Sequence, residues 1–229
     1  EGVPSYPGKG TPQGGVISPV LSNIFLHYVL DDWYVKDVWP RMRGRSFIIR
    51  WADDFIIGCE LESDAKRIMK VLPKRFNAYG LSIHPEKTKV VSFKRPTSNR
   101  KGKGEGTFDF LGFTFYWSKS RRGYWVIKKK TARKRLSRFM RELWQWCRKN
   151  RHEPVKEQYR TLYSKLRGYY QYYGVRGNYK ALEAVYRYAQ KAWRFWLSRR
   201  CHKGGISWEK FDAVRASYPL LKPRIVHNI

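Results

Sequence analysis

The stretch "RWADDFIIG", residues 50–58, holds two carboxylates, Asp53 and Asp54, side by side between short apolar runs. Two such groups at one turn repel each other unless water or cations relieve the charge. Asp oxygens suit magnesium, which usually keeps several waters and completes its shell with phosphate oxygens of a substrate. In two-metal phosphoryl transfer, one ion activates an attacking 3′ hydroxyl and the other steadies the leaving pyrophosphate. A plainer use is also open, because Asp often initiates turns by bonding its own backbone.

The elements that must hold this pair can be read from spacing. "SFIIRW" and "FIIGCE" are apolar runs of strand length with "ADD" between them, a β-hairpin with acids at its turn. Ser18 followed by Pro19 is a helix start, and Leu21, Ile24, Phe25 and Tyr28 recur at helical spacing, carrying the helix to about Trp33. A second helix begins at Ser63 with Ile68, Leu72, Phe76 and Tyr79 on one face, a kink or break at Pro73 and a stop at Gly80. "LSIHPEKTKVVSF" returns as an extended segment and a strand, and residues 94–107 form a surface loop. "FDFLGFTFYW" and "GYWVIKK", joined across "SKSRRG", make a second hairpin.

Beyond residue 128 the pattern is helical throughout. One stripe is Leu136, Phe139, Met140 and Leu143; a second is Tyr159, Leu162, Tyr163, Leu166, Tyr170 and Tyr173; a third is Leu182, Val185, Ala189, Ala192 and Trp196. "GVRGN" is the turn between the second and third, and "ISWEKFDAVRASYP" forms a short fourth helix before an irregular tail. The fold class is α+β, with a mixed domain over 1–128 followed by an all-helical domain over 129–229.

Charge points to the partner. The chain has 229 residues with 48 Lys and Arg against 18 Asp and Glu, a formal charge of +30, and 42% hydrophobic residues from which to build a core. Residues 1–118 hold 18 basic and 12 acidic side chains, net +6, whereas residues 119–229 hold 30 and 6, net +24. A polyanion is the natural partner, most simply nucleic acid and less simply an anionic membrane surface, and the second half is the electrostatic one. Cys59, Cys147 and Cys201 are too far apart for a disulfide framework or a zinc site, and His27, His84, His152, His202 and His227 lack ligand-like spacing. No apolar run approaches the roughly 20 residues of a membrane span. The opening "EGVPSYPGKGTPQGG" reads as a loop, as though the sequence starts inside a longer protein.

Four motifs in order, "GTPQGGVISPVLSNIFL", "RWADDFIIG", "GLSIHPEKTKVVSF" and "FDFLGFTF", together resemble the group II intron-encoded reverse transcriptases, also called maturases. The resemblance continues through "LYSKLRGYYQYYGVRGNY" and "PRIVH", so it covers nearly the whole chain. It implies a partial polymerase palm of antiparallel hairpins and helices over 1–128, followed by a helical thumb, or X domain, over 129–229. Asp53 and Asp54 match the acids of the family's Tyr-x-Asp-Asp motif and would bind Mg2+, two ions in the complete enzyme. Trp51 stands where the family has Tyr near the primer end, keeping an aromatic face and losing the phenol oxygen.

The family's third metal-binding acid has no match before Gly10, and its fingers would lie upstream. The resemblance thus implies an N-terminal fingers and palm segment in cis or as a separate chain, with this chain alone inactive in polymerisation. Gln13, Gly14 and Gly15 match the segment at the templating base pair, where glycine permits close backbone approach; a flexible turn before a helix is the other reading. Lys87 matches a position near the triphosphate, or is a solvated surface lysine. Leu111 and Gly112, between Phe110 and Phe113, match the primer grip. In the thumb, Lys165, Arg167, Arg176, Lys191 and Arg194 are candidates for RNA phosphates, while the aromatics between them read as helix packing.

The implied partners are group II intron RNA, an RNA template with a DNA primer and deoxynucleoside triphosphates, without a membrane, in a bacterial cytoplasm or an organelle. Three functions are consistent with these residues. The first is an RNA-directed DNA polymerase that also assists intron splicing and mobility. The second is an RNA-binding splicing cofactor without polymerase activity. The third, a generic basic scaffold, leaves the paired acids unexplained.

Overall fold

The computed structural model of the chain describes residues 15–97, 106–200 and 205–228. Internal contacts divide it into two compact units, Glu1–Phe93 and Lys94–Ile229. Helices and antiparallel hairpins together make the α+β class. The division falls ahead of residue 128, because the second hairpin packs on the helices that come after it.

In the first unit, α1 (Ser18–Leu26) carries Pro19 in its first turn, and Ser18 is its first residue rather than its cap. The chain does not stop at Trp33. Leu30, Tyr34 and Val38, four residues apart and all buried, keep an apolar stripe going through π-helical His27–Asp32 and Tyr34–Val38 to a 3-10 turn at Trp39–Arg41. The earlier stripe behaves differently: Leu21, Ile24, Phe25 and Tyr28 are exposed, and α1 has no buried residue.

Strands β1 (Ser46–Trp51) and β2 (Asp54–Cys59) pair antiparallel, with Ile48 opposite Ile57 and Trp51 opposite Asp54. One face of this hairpin, with Ile48, Phe55 and Ile57, packs on Leu30, Tyr34 and Val38 and on Ile68, Leu72 and Phe76 of α2 (Glu62–Asn77). The other face presents Phe47, Ile49 and Trp51 to solvent. Helix α2 runs unbroken through Pro73, and Gly80 (φ +69°) comes after it where Leu81 N–H returns to the Phe76 carbonyl at 3.0 Å. Its first turn holds Asp64, whose buried Oδ2 accepts the backbone N–H groups of Arg43 and Gly44 at 2.9 and 3.0 Å. The strand expected in residues 81–93 does not form. Leu81 and Ile83 join the core, but residues 84–93 have no ladder partner among the described residues.

The second unit opens with β3 (Thr107–Phe110), β4 (Phe113–Lys119) and β5 (Trp125–Thr131), one antiparallel sheet in that order. Then come α3 (Arg133–Lys149), α4 (Val155–Tyr173), α5 (Tyr179–Leu197) and α6 (Trp208–Ser217). Leu143 and Cys147, Leu162 and Leu166, Leu182, Val185, Ala189 and Ala192, and Phe211 form one buried core. Two faces are rotated from the expected stripes: α4 buries Gln158 and Tyr169 rather than Tyr159 and Tyr163, and α5 buries Trp193 rather than Trp196. Among the described residues no helix is long and apolar enough to cross a membrane.

Two buried amides explain how these elements are fastened. Gln158 Nε2 donates to the carbonyls of Arg151 and Glu153 at 3.2 and 2.8 Å, and its Oε1 accepts Trp193 Nε1–H at 2.9 Å. Asn178, at the start of α5, accepts Thr131 N–H at 2.9 Å and donates to Thr131 Oγ1 and the Tyr173 carbonyl at 2.8 and 2.9 Å. The chain after α6 straps this corner: the N–H groups of Val226 and His227 both donate to the Gly174 carbonyl, at 2.6 and 2.9 Å. A Cβ on Gly174 would lie 2.2 Å from the Tyr170 carbonyl oxygen, so only glycine fits there.

Because Asn178 satisfies three groups at once, Asn178→Ala is expected to cost about 3 kcal/mol. The measurement is urea unfolding, with a lowered midpoint and an unchanged slope. A loss below about 0.5 kcal/mol would contradict the clasp.

Candidate active site and nucleic-acid interface

Two residues, Ala52 and Asp53, connect β1 to β2. Tight antiparallel turns of this length need positive φ at the first position, which usually selects glycine. Here the residue is Ala52, at φ +53°. A non-glycine residue in that region costs about 1–2 kcal/mol and persists only where its surroundings fix it.

Arg50 does the fixing. Its Nε and Nη2 donate to the two carboxylate oxygens of Asp31 at 2.8 and 2.6 Å, while Nη1 donates to Asn23 Oδ1 at 2.9 Å and to the Ala52 carbonyl at 3.0 Å. One planar side chain, 14% exposed, thus joins α1, the π-helical segment and the hairpin turn. These hydrogen bonds, opposed by desolvation, hold the Asp31 carboxyl below its ordinary 3.8. The resulting stabilisation is complete above about pH 4 and is lost as pH falls through the lowered folded value. Asp64 is held low in the same direction, first by the Gly44 N–H.

The turn so held presents Trp51, Asp53 and Asp54 to solvent, Trp51 at 69% exposure. The acids offer hard oxygen donors of the kind Mg2+ prefers, and one or two carboxylates with water and substrate phosphates is its usual protein site. Among the described residues no group of three or more His, Cys, Asp or Glu could hold a metal ion. The pair therefore fits magnesium as part of a shell.

The other candidate residues fall in several places. Gln13 and Gly14 lie outside the described residues, and Gly15 accepts Ser18 N–H just before α1. Lys87 is exposed on a turn closed by its N–H to the His84 carbonyl at 3.2 Å, with no hydrogen bond or ion pair to the acid pair. Leu111 and Gly112 form the β3–β4 turn in the second unit, with φ +48° and +76°. Tyr172 Oη donates to the Leu111 carbonyl, and Ala132 N–H to that of Gly112, each at 2.9 Å. A Cβ at Gly112 would come within 2.8 Å of Tyr173 Oη, and Phe113 stacks on Tyr172 at 5.8 Å.

Among the helical cations, Arg167, Arg176 and Lys191 are exposed. Lys165 lies 6.0 Å over the Trp146 ring, and Arg194 4.1 Å over Trp208 with its Nε buried and without a hydrogen-bond partner. Arg194 therefore packs α5 on α6. Spacing passed over Arg50, the residue that orients the turn; its one sequence signal was a cation beside the acid pair.

The profile of the family described as reverse transcriptase (RNA-dependent DNA polymerase) matches residues 1–115, half of the 229. No curated protein matches the chain.

Two measurements test the turn. Arg50→Ala is expected to cost about 2 kcal/mol, since it leaves Asp31 and the Ala52 carbonyl unpaired, and Arg50→Lys recovers less than half because it lacks the fork. In acid titrations followed by tryptophan fluorescence, Asp31→Asn flattens the loss of stability below about pH 4; an unchanged acid limb would show that the pair is silent.

Proposed function

We propose that this chain, which belongs to the reverse transcriptase (RNA-dependent DNA polymerase) family, supplies the metal-binding and primer-supporting hairpins of an RNA-directed DNA polymerase and acts as a maturase on group II intron RNA. The observation that carries the reading is the acid pair on a two-residue turn, held by Arg50 inside the family match. Asp53 and Asp54 are the residues that would hold magnesium, which this family generally uses. When bound, the metal supplies charge stabilisation at the attacking hydroxyl and the leaving pyrophosphate.

The chain's own residues do the rest. Arg50 is a positioning residue that fixes the direction in which the carboxylates point. Trp51 offers an indole face to the last primer nucleotide. The Leu111–Gly112 turn, braced by Tyr172 and Tyr173, supports the primer strand, so that residues 1–128 act as the palm portion and 129–229 as the thumb. Lys87 offsets triphosphate charge, and Gln13, Gly14 and Gly15 are the residues that would serve the templating pair. Arg167, Arg176 and Lys191, exposed in a region of net +24, contact intron RNA phosphates. The exposed apolar face of α1 supports completion by an upstream fingers and palm segment, in cis or as another chain. The compartment is that of the intron-bearing genome, a bacterial cytoplasm or an organelle.

In the protein completed by that segment, Asp53→Asn should abolish magnesium-dependent primer extension and leave intron RNA affinity within about twofold. Equal loss of both would sink the assignment. A second reading, a splicing cofactor without polymerase activity, is favoured by the lack of a third acid beside the pair among the described residues. It predicts that the 229-residue chain speeds splicing of its intron in low magnesium without making DNA; no effect on splicing would remove it.

A further inference from the structure

Helix α3 carries Ser137, Arg141, Trp144 and Arg148 in steps of four, three and four, which places them on one face. Helix α5 carries Tyr188, Lys191 and Phe195 at the same kind of spacing. The two helices pack together, and the rows meet: the Trp144 ring lies 4.8 Å from Phe195 and 6.3 Å from Tyr188. Beside Trp144 opens a groove lined by Ser137, Met140, Arg141 and Tyr188.

Packing alone would explain aromatic side chains between helices. It does not explain cations alternating with them along both rows. Arg141, Arg148 and Lys191 are exposed, and none is in an ion pair among the described residues, because the nearby acids are engaged elsewhere: Glu142 with Arg138 at 3.5 Å and Glu183 with Arg187 at 2.8 Å. Arg148 also lies 5.8 Å over the Trp196 ring, at the end of the same seam.

We infer that this α3–α5 groove binds an unpaired stretch of RNA, with a base against Trp144 and Tyr188 and the flanking phosphates on Arg141, Arg148 and Lys191. Three observations select this occupant. The uncompensated cations call for a polyanion rather than an ordinary peptide. Ring faces are available for stacking only when a base is out of a duplex. The hydroxyls of Ser137 and Tyr188 at the groove can bond a ribose 2′-hydroxyl, which DNA lacks. The inference rests on the proposed nucleic-acid function but not on the acid pair.

The test measures dissociation constants of the full chain by fluorescence anisotropy for a short unstructured RNA, the same sequence as duplex RNA, and the single-stranded DNA. Trp144→Ala is expected to weaken single-stranded RNA binding about tenfold and leave the duplex within about twofold, with Trp144→Phe largely restored. The triple variant R141Q/R148Q/K191Q should reduce the salt slope by about 2; it guards against a Trp144→Ala chain that fails to fold, as judged by its circular-dichroism melt. Unchanged RNA affinity, equal loss on the duplex, DNA binding as tight as RNA, or an effect on self-association alone would each overturn the inference. Asp53→Asn should bind the single-stranded RNA like the parent, which separates failure here from failure of the polymerase reading.

Discussion

The guanidinium of Arg50 reaches Asn23 of α1, Asp31 of the π-helical segment and the Ala52 carbonyl of the turn. The first unit depends on this contact more than on any hydrophobic one near the tip. Apolar burial fixes where the hairpin lies, through Ile48, Phe55 and Ile57, but it stops short of the loop. A two-stranded hairpin is marginal by itself, and its loop contains an alanine in a backbone region meant for glycine. Directional bonds from a largely buried fork can set a geometry that non-directional burial cannot.

The second unit reaches the same end with neutral groups. At the β3–β4 turn, Leu111 also sits at positive φ, and it too is held through its carbonyl, by Tyr172 Oη. Asn178 then joins Thr131, at the end of the sheet, to the end of α4. Buried amides of this kind rigidify when every donor and acceptor is used. The two proposed functional turns share a design: a strained tip with its carbonyl held by a side chain, from within the hairpin by Arg50 in the first and from α4 by Tyr172 in the second.

Much of this was legible in the residues. The apolar runs "SFIIRW" and "FIIGCE" mark the first hairpin with its acids between them, and apolar residues at helical spacing mark all three long helices. The features that escaped reading have identifiable causes. Helical periodicity gives a stripe but not which neighbour it meets, so Trp193 and Trp196, three residues apart, exchanged roles. Polarity hid Gln158 and Asn178, whose burial depends on partners distant in sequence. Pro73 predicts a kink or a break, but the buried row of Ile68, Leu72 and Phe76 holds α2 together as one helix. The expected strand after Leu81 needed a neighbour that the described residues do not supply. Arg50 looked like one more of 48 cations, because only the fold brings Asn23 and Asp31 to it.

The open apolar face of the first hairpin, Phe47, Ile49 and Trp51, belongs to a molecule carrying +30. Mutual repulsion keeps such faces on different molecules apart, and the Debye length governs that repulsion, falling from about 30 Å at 0.01 M salt to about 10 Å at 0.1 M. Added electrolyte therefore acts twice on this protein. It loosens the grip on polyanions, and it lets greasy strands find one another, so colloidal stability and nucleic-acid affinity fall together as the buffer is strengthened.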